Sequence, residues 1–303
     1  MDEVEDWARR ATEVTVGGEA VAVVDVPAGH PGAAPPLLVI HGFPTSSIDF
    51  APVLDRLAER RRVVLLDLPG YGLSAKPDRA YSLFGQADVV EAVAAITGLT
   101  EVDLLTHDMG DSVGGEVLAR TLERSSPLRV RRRVLTNGSI YLGLAHLTDG
   151  QQFLRSLPDE ALPDGSGPDA ETLAGTLAAL CAPGSGGAGG GTGGSTGAPA
   201  RHLRAGAELV VRGGGARLLP RLIRYIDERA EHESRWTGAV ETHPAPLAVV
   251  WGRHDPIAVA GMVERLAERR PDAAVTWLDA GHWPMLEQPD AFAKATVTAL
   301  DAP

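Results

Sequence analysis

The sequence predicts an α/β protein with a mostly parallel sheet, and three observations carry that prediction. A continuous apolar run at 37–40 and an apolar strand at 63–67 show the pattern of strands buried on both faces, and further strands are read at 102–105 and 130–135. Segments with helical period separate them, as crossover connections between parallel strands require. The alternation then stops over 139–243 and resumes from 247, which marks one long insertion after the sixth strand. At 303 residues the chain suits one large domain carrying such an insertion.

Taken in order, a polar helix is expected over 3–10, followed by a hairpin. Val-rich strands at 12–16 and 19–26 flank Gly17-Gly18, and residues 31–36 read as a linker. Strand 37–40 ends at His41-Gly42, a helix is expected over 49–60, and strand 63–67 stops at Pro69-Gly70. Helices over 81–97 and 112–123 bracket strand 102–105, and strand 130–135 closes the first half. After the insertion come strand 247–251, helix 259–269, strand 274–278 and helix 290–300. The core is therefore expected over 1–138 and 244–303, with a helical cap over 139–243. Within that cap, nine of the fourteen residues 184–197 are glycine, so a disordered loop is expected there.

Composition narrows the function. Lys and Arg number 28 against 40 Asp and Glu, a net charge of −12, which disfavours a phosphate backbone as partner. No window offers the roughly 18 apolar residues of a membrane span. The acidic start lacks the apolar segment of a secretory signal, and a cytoplasmic protein is expected. Cys181 is the single cysteine, and no Cys/His cluster, HExxH, P-loop or dinucleotide fingerprint occurs. Neither metal nor organic cofactor is expected, and the partner is expected to be a small organic substrate.

The chemistry concentrates at strand ends. Strand 102–105 runs into Thr106-His107-Asp108-Met109-Gly110 and then a helix, a sharp turn that would raise Asp108 above the C-terminal edge of the sheet. Alone, Asp108 reads better as a cap of that helix, and its partners at the other strand ends reverse that reading. Asp255 follows one later strand and His282 the next, so an acid and an imidazole emerge on the same edge. The chain order Asp108, Asp255, His282 is nucleophile, acid, histidine, one of the known orders of a catalytic triad. Phe43 and Met109 are placed to aim backbone N–H groups at an anion beside Asp108. Gly110-Asp111-Ser112-Val113-Gly114 matches the serine nucleophile pattern, but Ser112 falls one turn into the helix, where a small packing residue is the simpler reading. His107 and His254, each preceding a triad candidate, read as supports, while His41, His107, Trp236 and Trp283 are also candidates for the pocket wall.

HGFPTSS (41–47), DLPGYGLSAKP (67–77), HDMGD (107–111) and GHWPMLEQP (281–289) together resemble the α/β-hydrolase fold over roughly 35–300. Within it they resemble the Asp-nucleophile group of epoxide hydrolases and haloalkane dehalogenases, closest to the mesoderm-specific transcript-like branch. The resemblance implies that Asp108 attacks an sp³ carbon, that His282 activates water against the resulting ester, and that Asp255 orients His282. In epoxide hydrolases a pair of cap tyrosines protonates the leaving oxygen. Tyr225 fits one of these positions, and Tyr141 is a poorer match for the second. Dehalogenases usually place Trp directly after the nucleophile, where this chain has Met109, and Trp236 alone does not restore that pair. The resemblance thus favours epoxide over halide. A serine esterase or lactonase acting through Ser112, and a non-catalytic binding protein, are the other readings.

Overall fold

The computed structural model describes residues 2–30, 34–183 and 198–302. The glycine-rich tract 184–197 and part of the expected linker, 31–33, lie outside the described residues. Eight strands form one sheet: β1 (Ala11–Val16), β2 (Glu19–Val26), β3 (Leu37–Ile40), β4 (Val63–Leu66), β5 (Glu101–His107), β6 (Arg129–Thr136), β7 (Leu247–Gly252) and β8 (Ala274–Leu278). Their order is β1-β2-β4-β3-β5-β6-β7-β8. β1 and β2 form a hairpin, β2 pairs antiparallel with β4, and every other pairing is parallel. Gly17 and Gly18 both have positive φ (58° and 86°), the backbone a two-residue hairpin turn requires.

Every residue of β3, β4 and β7 is buried, which explains why they read as unbroken apolar runs rather than alternating ones. Parallel pairing brings the C-terminal ends of β3, β5, β6, β7 and β8 to one edge. There Ile40 is level with Thr106, His107 with Thr136, and Gly252 with Leu278. Between β6 and β7 the described residues form helices and no strand, the longest being Ala198–Val211 and Tyr225–Thr242.

Two expected helices change. In place of one helix over 49–60 there is a 3-10 turn, Ser47–Phe50, and a single α turn, Leu54–Leu57. Pro52 lacks the N–H that a continuous ladder needs, and it keeps the two turns apart. The helix expected from 112 begins at Met109 instead and runs to Leu122, so it leaves the sheet directly after Asp108.

Candidate active site

Asp108 stands at φ 50° and ψ −120°, between the last residue of β5 and the first of helix Met109–Leu122. A non-glycine residue rarely adopts positive φ, and at a strand-to-helix turn the conformation holds the side chain clear of both elements. The turn closes only because its neighbours are small. A Cβ on Gly110 would stand 2.5 Å from the carbonyl oxygen of Ile40, and one on Gly42 would stand 2.5 Å from Cβ of Asp108. Gly42 thereby lets the loop after β3 reach the carboxylate, and the Phe43 N–H donates to Asp108 Oδ2 at 2.8 Å. Burial raises the pKa of Asp108, against the lowering effects of His282 and the Met109 and Phe43 N–H groups. Both residues expected to supply anion-hole donors are thus placed at the carboxylate.

His282 Nδ1 lies 2.8 Å from Asp255 Oδ2. Asp255 Oδ1 accepts from the N–H groups of Ile257 (2.8 Å) and Ala258 (3.0 Å), which fix the carboxylate's plane. Burial would lower the His282 pKa, but Asp255, then Asp108 and Asp49, raise it to about 9. With Nδ1 committed to Asp255, Nε2 is the nitrogen free to exchange a proton.

A cavity of about 280 Å³ opens on this site, with Phe43, His282, Trp283 and Ile257 contributed from the core. The helices between β6 and β7 supply an apolar roof that includes Leu154, Leu173 and Leu177. The Asp108 carboxyl is not part of the cavity wall, and the residue is 3% exposed. Tyr225 is buried at the start of helix Tyr225–Thr242, and its ring centroid is 5.6 Å from that of Phe43. Burial and the negative charge of Asp108 raise its hydroxyl well above the ordinary phenol.

Several expected site residues lie elsewhere. The Tyr141 hydroxyl donates to Glu241 at 2.8 Å, and Arg265 covers its ring, so this tyrosine is committed away from Asp108. The Trp236 indole N–H donates to Glu116 at 2.8 Å in a buried contact between helices, outside the cavity. His41 is fully buried behind the loop. Its Nε2 accepts from the Leu68 N–H at 3.0 Å and its Nδ1 lies 2.8 Å from the Gly42 carbonyl, so it braces the turn rather than lining the pocket. His107 Nε2 lies 2.9 Å from the carbonyl oxygen of His282, which makes it a support as well. His254 pairs with Asp279 on the surface. Of the four wall candidates, only Trp283 lines the cavity.

The structure also shows groups that reading the sequence missed. Asn137 follows β6 and donates to Asp255 Oδ2 at 2.8 Å, while its Oδ1 accepts from the Gly252 N–H at 2.9 Å. It ties the acid to the strand that carries it. Strand-end position could have revealed it, had amides been considered alongside acids and imidazoles. Arg229, buried in the Tyr225–Thr242 helix, donates to Ser112 Oγ at 3.1 Å and to the carbonyls of Ser139 and Ile140. Ser112 is therefore held in a structural network one turn past the elbow.

The comparisons agree with this geometry at the level of family. The model of the alpha/beta hydrolase family matches residues 37–295. LipZ of Mycobacterium tuberculosis is 41% identical over 288 residues, 93% of either chain. The mesoderm-specific transcript protein of Mus musculus is 31% identical over 269 residues, covering 86% of this chain and 76% of that one. Among solved structures, the haloalkane dehalogenase DatA from Agrobacterium tumefaciens C58 superposes with a TM-score of 0.71 at 20% identity, covering 96% of this chain and 95% of that one. At that identity the likeness concerns the fold. With the family model spanning most of the sheet and every strand-end residue of the site, this chain belongs to the alpha/beta hydrolase family.

Proposed function

We propose that this hydrolase works through an alkyl ester on Asp108 and that its substrate is an apolar epoxide, opened to a diol. The observation that carries the reading is the strained elbow itself: an aspartate occupies it, with one carboxylate oxygen already against the Phe43 N–H. A carboxylate needs no adjacent base to be nucleophilic at neutral pH. Oδ2 is engaged by the donor, so Oδ1 is the oxygen that attacks carbon. The carbon–oxygen bond of the ring breaks, and the leaving oxygen takes the proton of the Tyr225 hydroxyl. Water, giving its proton to His282 Nε2, then adds to Cγ of the ester. Negative charge develops on Oδ2, where the Phe43 and Met109 N–H groups stabilise it, and collapse releases the diol. In that collapse the Cγ–Oδ1 bond breaks and the alkyl oxygen takes the proton of the hydroxyl that water left on Cγ, so the Asp108 carboxylate and the protonated His282 of the resting site are both restored.

Electrostatics fit the sequence of steps. In the resting site the Asp108 carboxylate helps to keep His282 protonated. Esterification removes that charge, the imidazolium passes its proton by way of water to the Tyr225 phenolate left by the first step, and a neutral base is in place when the second step needs one. The apolar cavity favours a hydrocarbon substituent on the oxirane. Because Asp108 is buried and off the cavity wall, side chains between it and the cavity move for substrate to reach it.

A halide reading would need N–H donors at the leaving group. The Met109 side chain has no such group, Trp236 is bound to Glu116, and Trp283 directs its N–H toward Asp49. A serine reading would need a base at Ser112, whose hydroxyl instead meets Arg229. The direct test offers matched epoxides and haloalkanes to the enzyme and measures diol and halide release. Diol formation is expected, falling by about 10²-fold in Tyr225→Phe, the usual size of an acid–base contribution. Halide release without diol formation would refute the epoxide assignment, and an unchanged rate in Tyr225→Phe would remove the proton donor.

A further inference from the structure

Asp49 is a buried carboxyl with no part in the scheme above. It sits on the Ser47–Phe50 turn after β3 and is 1% exposed. Its Oδ2 accepts from the Thr45 hydroxyl at 2.5 Å. Its Oδ1 is sealed from water without completing a hydrogen bond, and so is the indole N–H of Trp283 that points toward Asp49. Helix Ala198–Val211 closes over the carboxyl at Gly206, where a Cβ would stand 3.6 Å from Oδ1. Trp283 in turn meets the His282 ring edge to face, with centroids 4.7 Å apart. A carboxyl buried without a direct ion pair among the described residues is costly, so its retention next to the reactive imidazole calls for a role.

We propose that Asp49 is a positioning residue of the active site: by engaging Trp283 and lying in the field of His282, it shares with Asp255 the task of setting how tightly the imidazole holds its proton. The charged and titratable groups around His282 are Asp255 after β7, Asp108 after β5, Asp49 after β3 and His107 at the end of β5. Around Asp49 stand Thr45, Trp283, His282 and, adding repulsion, Asp67 after β4. Burial pushes the Asp49 carboxyl up to about 7, so its charge changes near neutral pH. When Asp108 is esterified, Asp49 and Asp255 become the two anions left to stabilise the imidazolium that forms as water is deprotonated.

The inference takes the role of His282 from the proposed function, but its test uses the resting protein without substrate, so the choice of substrate cannot decide it. The His282 Cε1–H resonance is followed by NMR against pH and identified by its loss in His282→Gln. In the unmodified protein the resonance is expected to show a second inflection near pH 7, as Asp49 ionises. In Asp49→Asn, which keeps the shape and removes the charge, that inflection is expected to vanish. The main midpoint should then fall by roughly half a pH unit or more, as loss of a nearby anion requires. An Asp49→Asn protein whose midpoint stays put would overturn the proposal, because a merely structural carboxyl would leave it there. Should that variant not fold, absence of the inflection near pH 7 in the unmodified protein would overturn it equally, and its presence would support it.

Discussion

Asp108 combines three costs in one side chain: a left-handed backbone, a buried carboxyl, and close approach to Gly42. None serves stability, since a residue at positive φ costs on the order of 1–3 kcal/mol. The neighbouring loops hold it there. Asp108→Gly accepts the same φ freely and removes the buried charge, so it is expected to raise unfolding free energy by about 1–3 kcal/mol while abolishing turnover. Urea denaturation beside an activity assay checks both halves, and a destabilised Asp108→Gly protein would contradict the strain. The residues of the elbow, the acid and the histidine were legible in the sequence because each stands just past the C-terminal end of a strand: Asp108 after β5, Asp255 after β7 and His282 after β8. Tyr141 and Trp236 were misplaced for the opposite reason. Their partners, Glu241 and Glu116, lie 100 and 120 residues away, and no local pattern announces such a hydrogen bond.

At the scale of elements, the ends of β6, β7 and β8 act as one unit through Asn137. Its amide bridges the Asp255 carboxylate, the Gly252 N–H and, at 3.3 Å, the carbonyls of Gly252 and Gly281. Asn137→Ala leaves Asp108 untouched but frees the acid that orients His282. Ester formation in a single turnover is expected to keep its rate, while ester hydrolysis slows by roughly 10-fold or more. Equal slowing of both steps would show that Asn137 serves the fold alone. β3, β4 and β7 were readable because strands buried throughout leave apolar runs, β1 and β2 by their hairpin signals, and β5, β6 and β8 by their alternation with helices. The turn at Ser47–Phe50 was not, because apolar spacing alone mimicked a helix across Pro52. The placing of Asp49 followed that error: read as part of a helix, it gave no sign of facing His282.

For the whole molecule, charge burial makes stability depend on pH in a stated direction. His282 is raised from 6.5 to about 9, so the folded state binds its proton more tightly than the unfolded chain does. That contribution is fully present below pH 6.5 and is lost as pH rises through 9. Asp49 and Asp111, both raised to about 7, add a decline that is complete by then, and His243, lowered to about 4, acts in the opposite sense below pH 6.5. From pH 7 to 8 the melting temperature is therefore expected to fall, and to fall less in His282→Gln, while above pH 8 Lys76, which burial lowers to about 8, acts in the opposite sense. A parallel decline in both proteins would place the effect elsewhere.

The motifs HGFPTSS and HDMGD pointed to the branch in which the mouse relative stands, and the family model spans the same core. What family and fold leave open is the atom that bonds to substrate. Intact-mass analysis of His282→Gln protein mixed with a panel of epoxides answers this directly, since the ester would form and then persist. The account requires a substrate-sized mass increase that maps to the peptide containing Asp108 and disappears in the double variant with Asp108→Ala. An adduct on Ser112, or turnover that survives Asp108→Ala and is lost in Ser112→Ala, would contradict it.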